Sequence, residues 1–144
     1  MKVEIITDTE KEEYVAIHCH DITDEVKKLE SHIKNFSSSI TATDEGEIHN
    51  VSLDEIFYIE SVDKKTFIYT RDKVLMTDKR LYELEEMLDG KEFFRCSKSV
   101  IINLKKIDKL KPEITRNILA TLSNGEVVIV SRRYAAELKK LLGI

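Results

Sequence analysis

Residues 93–110 read FFRCSKSVIINLKKIDKL, and the rest of the sequence is organised around this stretch. It begins with two aromatic residues and a short polar segment, and it continues into the apolar run Val100-Ile101-Ile102 and Leu104. Lysines follow at positions 105, 106, 109 and 111. Apolar side chains are often buried, whereas lysines almost never are. We therefore predict that residues 100–104 belong to the core and that the basic residues on either side of them form surface.

The composition is that of a soluble, folded and highly charged domain. The chain has 144 residues, which suits one domain or a domain with a short appendage. It contains one proline and four glycines, so no long linker is expected. No apolar run approaches the roughly 18 residues of a membrane span, and the first residues lack the apolar core of a signal peptide. We therefore expect a cytoplasmic protein.

The charge is distributed unevenly along the chain, although the formal net charge is only −4. Residues 1–90 carry 11 basic and 22 acidic side chains, whereas residues 91–144 carry 12 basic and 5 acidic ones. An anionic partner responds to the local field rather than to the total charge. The basic final third of an otherwise acidic chain predicts an oriented nucleic-acid footprint.

The first 38 residues are predicted to form a small β-β-α appendage. Apolar and polar residues alternate over Met1–Thr7 and Tyr14–His20, which favours two strands. Thr23 is a candidate N-cap with two acidic residues behind it, so a helix is expected to begin there. The helix carries a narrow apolar stripe, made of Ile22, Val26, Leu29, Ile33 and Phe36. This stripe is expected to pack within the chain; the alternative partner is the same helix of a second subunit.

Residues 39–144 are predicted to form one domain of class mainly β with short helices, beginning after Ser37-Ser38. Short runs of strand-forming residues alternate with turn signals, a spacing typical of a sandwich or barrel. The predicted strands cover 40–43, 47–51, 56–60, 67–70, 74–76, 107–110, 117–122 and 127–130, with Asn124-Gly125 as the last hairpin turn. Helices are predicted over Asp78–Leu88 and over Arg132–Leu142.

The start of the last helix carries the most informative local motif, Ser131-Arg132-Arg133-Tyr134. Ser131 is a candidate N-cap, which places both arginines in the first turn. Cations there oppose the helix dipole, at a cost of roughly 0.3–1 kcal/mol each. The amides at a helix start bind anions, and the guanidinium fork matches both a phosphate and a guanine edge. The motif therefore indicates a nucleic-acid contact; the alternative is a solvated pair bonded to nearby acids.

Four separated motifs occur together in the order and spacing of one known family. They are FYIES at Phe57–Ser61, LYEL at Leu81–Leu84, FFRCSKSVIINLKKI from Phe93 and VSRRYAAELKK from Val130. With them, residues 40–142 resemble LytTR-type DNA-binding domains. The resemblance implies an elongated fold of ten strands in several sheets with short helices. It also implies a transcription regulator that inserts loops into successive major grooves on one face of double-stranded DNA.

The same resemblance implies three DNA-contacting loops. The first loop is Lys64-Lys65-Thr66, where relatives often have a histidine at or near Thr66. The second loop is Ser97-Lys98-Ser99, where many members have histidine followed by arginine or asparagine, so that Lys98 takes the base-contacting position without their bidentate geometry. The third loop is Arg132-Arg133, with Arg133 at the position of the base-reading arginine. Lys105 and Lys106 are predicted to add contacts that position the DNA backbone.

The regulatory part of the family pattern is different here. Family members usually join this domain to a receiver domain of about 120 residues, whereas only about 40 precede it in this sequence. The resemblance therefore implies a stand-alone regulator without a cofactor, and it suggests a small membrane protein as a regulatory partner. The narrow stripe of the first helix and the habit of the family predict a homodimer on repeated half-sites.

Three alternative functions compete with that of a DNA-binding regulator. A metal site could use His18, Cys19 and His20, but it would need further ligands such as His32 or His49. An enzyme is not predicted, because no glycine-rich phosphate loop, nucleophile elbow or paired-carboxylate site is visible. A protein-interaction module with an incidental basic surface is the third alternative.

Two cysteines and one asparagine have predictable environments. Cys19 and Cys96 are expected to be reduced. Cys96 is expected to be a buried hydrophobe rather than a thiol activated by Arg95 and Lys98. Asn103, inside the apolar run, is expected to bond buried backbone rather than to read a base.

Overall fold

The structure is a computed structural model that describes residues 1–36 and 38–144. Within this range the α-helices are α1 Asp24–Phe36, α2 Leu81–Met87 and α3 Arg132–Leu142. The strands are β1 Ser39–Asp44, β2 Glu47–Ser52, β3 Tyr58–Val62, β4 Lys65–Tyr69, β5 Val74–Thr77, β6 Phe93–Arg95, β7 Val100–Asn103, β8 Ile107–Pro112, β9 Ile118–Leu122 and β10 Val127–Val130. Single 3₁₀ turns cover Leu53–Glu55 and Leu104–Lys106. None of the described helices has the length and apolar character needed to cross a membrane.

The strands form two antiparallel sheets. The larger has the order β2-β1-β5-β4-β3-β7-β6, and the smaller has the order β10-β9-β8. In the larger sheet Glu60 of β3 stands opposite Phe67 of β4 on one side and opposite Val100 of β7 on the other. This register brings the β3–β4 turn and the β6–β7 turn to the same end of the sheet.

Two cores lie on opposite faces of the larger sheet, because side chains alternate between the faces of a strand. On one face Ile59, Ile68 and Ile101 pack with Leu81 and Leu84 of α2. The other face is covered by the smaller sheet and α3. The core between these layers includes Phe57, Ile102, Ile118, Val130 and Leu138. β7 serves both cores, and all four of its residues are buried.

The mainly β fold with short helices is confirmed, and so is the burial of residues 100–103. Asn103 is fully buried and bonds backbone as predicted, since its Nδ2 donates to the Ile56 carbonyl at 2.8 Å and its Oδ1 accepts from the Lys105 amide at 3.0 Å. Helix α2 begins at Leu81, three residues after the predicted start at Asp78. Both cysteines are free.

The two N-terminal strands predicted over Met1–Thr7 and Tyr14–His20 are absent from the described fold, and residues 1–23 form neither strand nor helix. Their apolar side chains are exposed; Val3, Ile5 and Tyr14, for example, are 83%, 92% and 74% exposed. The alternation of residue types was real, but a lone two-stranded hairpin is at best marginally stable in water. Without a third strand or a helix to cover it, the pattern does not produce a sheet in this chain.

Helix α1 packs against its own chain, at the 3₁₀ turn Leu53–Glu55. Val26, Leu29 and Ile33 are half-buried, and His32 Nδ1 lies 3.3 Å from Asp54 Oδ2. The predicted packing of this helix within the chain is confirmed, and its partner is the 3₁₀ turn. The fifth stripe residue, Phe36, has its side chain outside the described residues, as does Ser37 of the predicted break.

Candidate nucleic-acid interface

Hydrogen bonds join the second loop to both of its neighbours. The Ser99 carbonyl accepts from the amide of Ser61 at the end of β3, at 2.8 Å. The Cys96 carbonyl accepts from the amide of Ser131, directly before the third loop, at 2.9 Å. Because β3 also leads into the first loop, all three loops lie along one edge where the two sheets meet. We call this the loop edge; its exposed cations are Lys64, Lys65, Lys98, Arg132 and Arg133.

The first loop is the tight turn between β3 and β4. Asp63 and Lys64 have φ of 50° and 65°, as a two-residue hairpin turn with the twist of its strands requires. Lys64 and Lys65 are exposed and available to a partner. The prediction for Thr66 is corrected by the structure: Thr66 lies within β4, pairs with Ser61 and is only 3% exposed. Its side chain is therefore not presented to DNA.

The second loop is held by an arginine that precedes it. Arg95 donates from Nε to the Ser97 carbonyl at 2.7 Å and from Nη2 to the Lys98 carbonyl. Its Nη1 forms an ion pair of 2.5 Å with Glu85 Oε2 on α2. Lys98 itself is exposed, and Ser97 Oγ accepts from the Ser99 amide at 3.2 Å. The loop therefore presents Lys98 from a backbone fixed by charge-assisted hydrogen bonds.

The third loop is the first turn of α3. Ser131 is the N-cap residue, as predicted, but its side chain makes no capping bond. Asn117, directly before β9, supplies the bond instead: its Oδ1 accepts from the Arg132 amide at 2.9 Å. The Arg133 guanidinium lies 5.8 Å from the centre of the Tyr134 ring. Within residues 1–36 and 38–144 neither arginine forms an ion pair, so both charges remain available to an anionic partner.

Lys105 and Lys106 do not lie at the loop edge. They follow β7, whose four residues span about 13 Å, so they lie at the opposite end of the sheet from the second loop. Lys106 Nζ lies 5.0 Å from the centre of the Phe57 ring, which Arg71 also approaches at 5.4 Å. The Lys106 carbonyl accepts from the Ser123 amide at 2.8 Å. The single basic surface predicted from sequence is thus divided between two ends of the domain.

Cys96 belongs to the frame of the loop edge and not to its chemistry. It is fully buried, and burial raises the pKa of its thiol to about 12, although its own backbone hydrogen bond and Arg95 act to lower this pKa. The prediction of a buried hydrophobe is therefore confirmed. In the part of the chain that is described, no three His, Cys, Asp or Glu side chains are grouped to hold a metal ion, including those around His18 and His20.

Sequence reasoning missed the residues that support the loops. Arg80 Nη1 donates to the Lys64 carbonyl at 3.4 Å, which adds a contact from the start of α2 to the first loop. Arg95, Glu85 and Asn117 support the other two loops through the contacts described above. Arg80, Glu85 and Arg95 lie in or next to a motif, but nothing in their residue types distinguishes a charge that supports a loop from one that contacts a ligand. Asn117 lies outside all four motifs and had no such signal.

The fold and the loop edge define the chain as a mainly β domain that presents three basic loops on one side. Residues 46–143 match the model of the LytTr DNA-binding domain, and the chain belongs to this family. It is similar to the LytTr DNA-binding domain of a methyl-accepting/DNA response regulator from Bacillus cereus. That structure superposes with a TM-score of 0.71 at 32% identity, over 74% of this chain and 98% of that one.

Whole-length relatives come from Staphylococcus aureus. An HTH-type transcriptional regulator of strain bovine RF122 / ET3-1 is 31% identical over 141 residues, which cover 96% of this chain and 95% of the relative. A regulator with the same printed description from strain NCTC 8325 / PS 47 is 30% identical over the same shares. A helix-turn-helix does not describe the fold found here, because strands separate all three described α-helices.

Proposed function

We propose that this chain is a transcription regulator that binds double-stranded DNA sequence-specifically by inserting its loops into successive major grooves. Membership of a DNA-binding domain family supports a DNA partner. The observation that carries the proposal is the loop edge, where five exposed cations stand on a backbone tied together by hydrogen bonds. A fixed row of cations on one side of a domain suits a phosphate backbone, while the loop tips reach into the groove.

The proposed roles differ among the loops. Arg133 reads a base, because its fork matches the O6 and N7 atoms of guanine and no ion pair within the described residues occupies it. Lys98 meets a base edge or phosphate as a single point charge, which discriminates less. Lys64, Lys65 and Arg132 hold phosphates, and Ser97 and Ser99 line the second loop.

We also propose that the regulator acts as a homodimer in the cytoplasm. Support comes from residues 1–23, which expose Val3, Ile5, Ile6 and Tyr14 without any strand or helix of their own to cover them. Apolar side chains in a strand-like alternation gain by pairing with a second copy. Sedimentation should show a dimer that Ile5→Asp weakens. The control Met87→Asp, which also replaces an exposed apolar side chain with an acidic one, should leave the dimer unchanged. A monomer at high concentration would refute the dimer. The small membrane protein suggested by the resemblance is kept as the proposed regulatory partner.

The function is tested by selecting bound duplexes from a random DNA pool with the full chain. The proposal predicts enrichment of a repeated short motif, and specific binding that falls steeply with salt. Recovery of no common sequence would instead favour a protein-interaction module with an incidental basic surface. That result, obtained with folded protein, would refute sequence-specific binding.

A further inference from the structure

We infer that helix α2 is a positioning element that sets the first and second loops relative to each other. One end of the helix holds the first loop, since Arg80 Nη1 donates to the Lys64 carbonyl at 3.4 Å. Glu85, one turn further on, holds the second loop through Arg95, with 2.5 Å between Glu85 Oε2 and Arg95 Nη1. This inference rests on the proposed function, because it assigns residues that serve the same DNA contacts.

The helix is suited to this role because it is fixed to the sheet. Leu81 and Leu84 are 7% and 0% exposed and belong to the core beneath β3 and β7. The N-terminus is closed by Glu83, whose Oε1 accepts from the Arg80 amide at 3.2 Å. A short helix anchored by two buried leucines has little freedom to slide or rotate, because interiors are close-packed. Its two loop contacts are therefore a fixed distance apart.

The bonding of Arg95 shows what the helix controls. The guanidinium group directs three of its nitrogens to three acceptors: Glu85, the Ser97 carbonyl and the Lys98 carbonyl. These carbonyls belong to the two peptide bonds on either side of the Lys98 Cα, which carries the side chain proposed to contact DNA. Glu85 orients this fork, because a planar guanidinium cannot turn toward a new acceptor without leaving the others. Arg95 and Glu85 are accordingly positioning residues and not DNA contacts.

The competing explanation is an ordinary surface ion pair. Glu85 is half-exposed, and such pairs contribute little to stability. The two explanations predict opposite signs in DNA binding. If Glu85 is only an acidic side chain near a polyanion, its neutralisation removes repulsion and strengthens binding to every duplex. If Glu85 positions the second loop, its neutralisation weakens binding to the preferred sequence in particular.

The experiment compares Glu85→Gln with Glu86→Gln, its neighbour on α2, which loses the same charge but has no side-chain contact with Arg95. Affinity is measured for a duplex selected from a random pool and for a scrambled duplex of equal length and composition. We expect Glu85→Gln to lower the ratio of the two affinities by about tenfold, the loss that one mismatched base pair produces. Glu86→Gln should leave the ratio unchanged. Arg95→Lys, which keeps the charge without the fork, should resemble Glu85→Gln.

A second measurement needs no DNA. The Ser61 amide donates to the Ser99 carbonyl of the second loop, so its hydrogen exchange should accelerate in Glu85→Gln and not in Glu86→Gln, while amides within β7 stay protected. Equal affinity ratios and equal exchange for the two variants would overturn the inference even if the wild type prefers the selected duplex. A wild type that binds both duplexes equally would overturn the proposed function, and with it the role of α2 in DNA binding.

Discussion

The loop-edge cations lie far from Lys105 and Lys106, and this separation predicts how DNA affinity depends on salt concentration. The loop edge offers five exposed cations, Lys64, Lys65, Lys98, Arg132 and Arg133. Three of them, Lys64, Lys65 and Arg132, are proposed to hold phosphates. Each neutralised phosphate contributes about −0.9 to the slope of log K against log salt concentration, so three give a slope of about −2.7 per chain. Between 50 and 200 mM salt this slope lowers affinity by roughly 40-fold. Lys65→Ala should reduce the slope to about −1.8.

Lys106→Ala is the matched control, since it removes the same charge from the opposite end of the sheet. Its ammonium group lies 5.0 Å from the Phe57 ring centre. Lys106 follows the C-terminal end of β7, whereas the second loop precedes the N-terminal end of this strand. The assay is fluorescence anisotropy of a labelled selected duplex over a series of salt concentrations, with stability checked by thermal unfolding. If Lys106→Ala reduces the slope as much as Lys65→Ala does, the DNA follows a different surface and the assignment of the loop edge is wrong.

Three further predictions concern single residues. Arg133→Ala should relax sequence choice at one base position by about 1–3 kcal/mol, measured by repeating the selection with the variant; an unchanged motif would exclude base reading by this side chain. Asn103→Ala should lower the free energy of unfolding by about 2–4 kcal/mol in denaturant titrations, since it leaves the Ile56 carbonyl and the Lys105 amide without partners; a loss under about 0.5 kcal/mol would show that water replaces both bonds. The pKa of Cys96 is raised in the folded state to about 12 from about 9, so the stability that it contributes is complete below pH 9 and is lost as the pH rises toward 12. Between pH 8 and 10 the wild type should therefore lose about 1.4 kcal/mol more than Cys96→Ala, and a parallel pH dependence of the two proteins would contradict the burial of the thiol.

The sequence was sufficient for the parts of the fold that depend on local chemistry. Asn124-Gly125 marked a hairpin, and residues 121–127 form one, with Val127 opposite Thr121. Ser131 marked a helix start by its residue type and by the apolar periodicity after it. The burial of residues 100–103 could be predicted because they form a mostly apolar run with polar and basic residues on both sides. In each case one segment of chain contains the whole signal.

The N-terminal prediction failed for the complementary reason. Val3 and Ile5 alternate with polar residues, as those of a half-buried strand do, yet they form no strand in this chain. A strand is stabilised by its neighbours, and alternation states only that one face would be apolar if neighbours existed. β9 has strands on both sides and α3 over its inner face, whereas residues 1–7 have no described partner. The local sequence pattern therefore shows that a segment is able to form a strand. Whether it does so depends on whether the fold places another strand or a helix beside it.

The interface shows the same limit in its charges. Arg95 and Arg133 look equivalent in sequence, since each is an arginine two positions from a serine in a family motif. In the fold the Arg95 guanidinium binds Glu85 and two carbonyls, while Arg133 is exposed and has no ion pair among the described residues. What separates them is a glutamate ten positions earlier on another element, a distance in sequence that no motif spans. A basic residue in such a domain can therefore be assigned to the ligand or to the frame by counting the acceptors that its own chain supplies. At this loop edge the count places Arg95 in the frame, and it supports the proposal that Arg133 and Lys98 contact DNA.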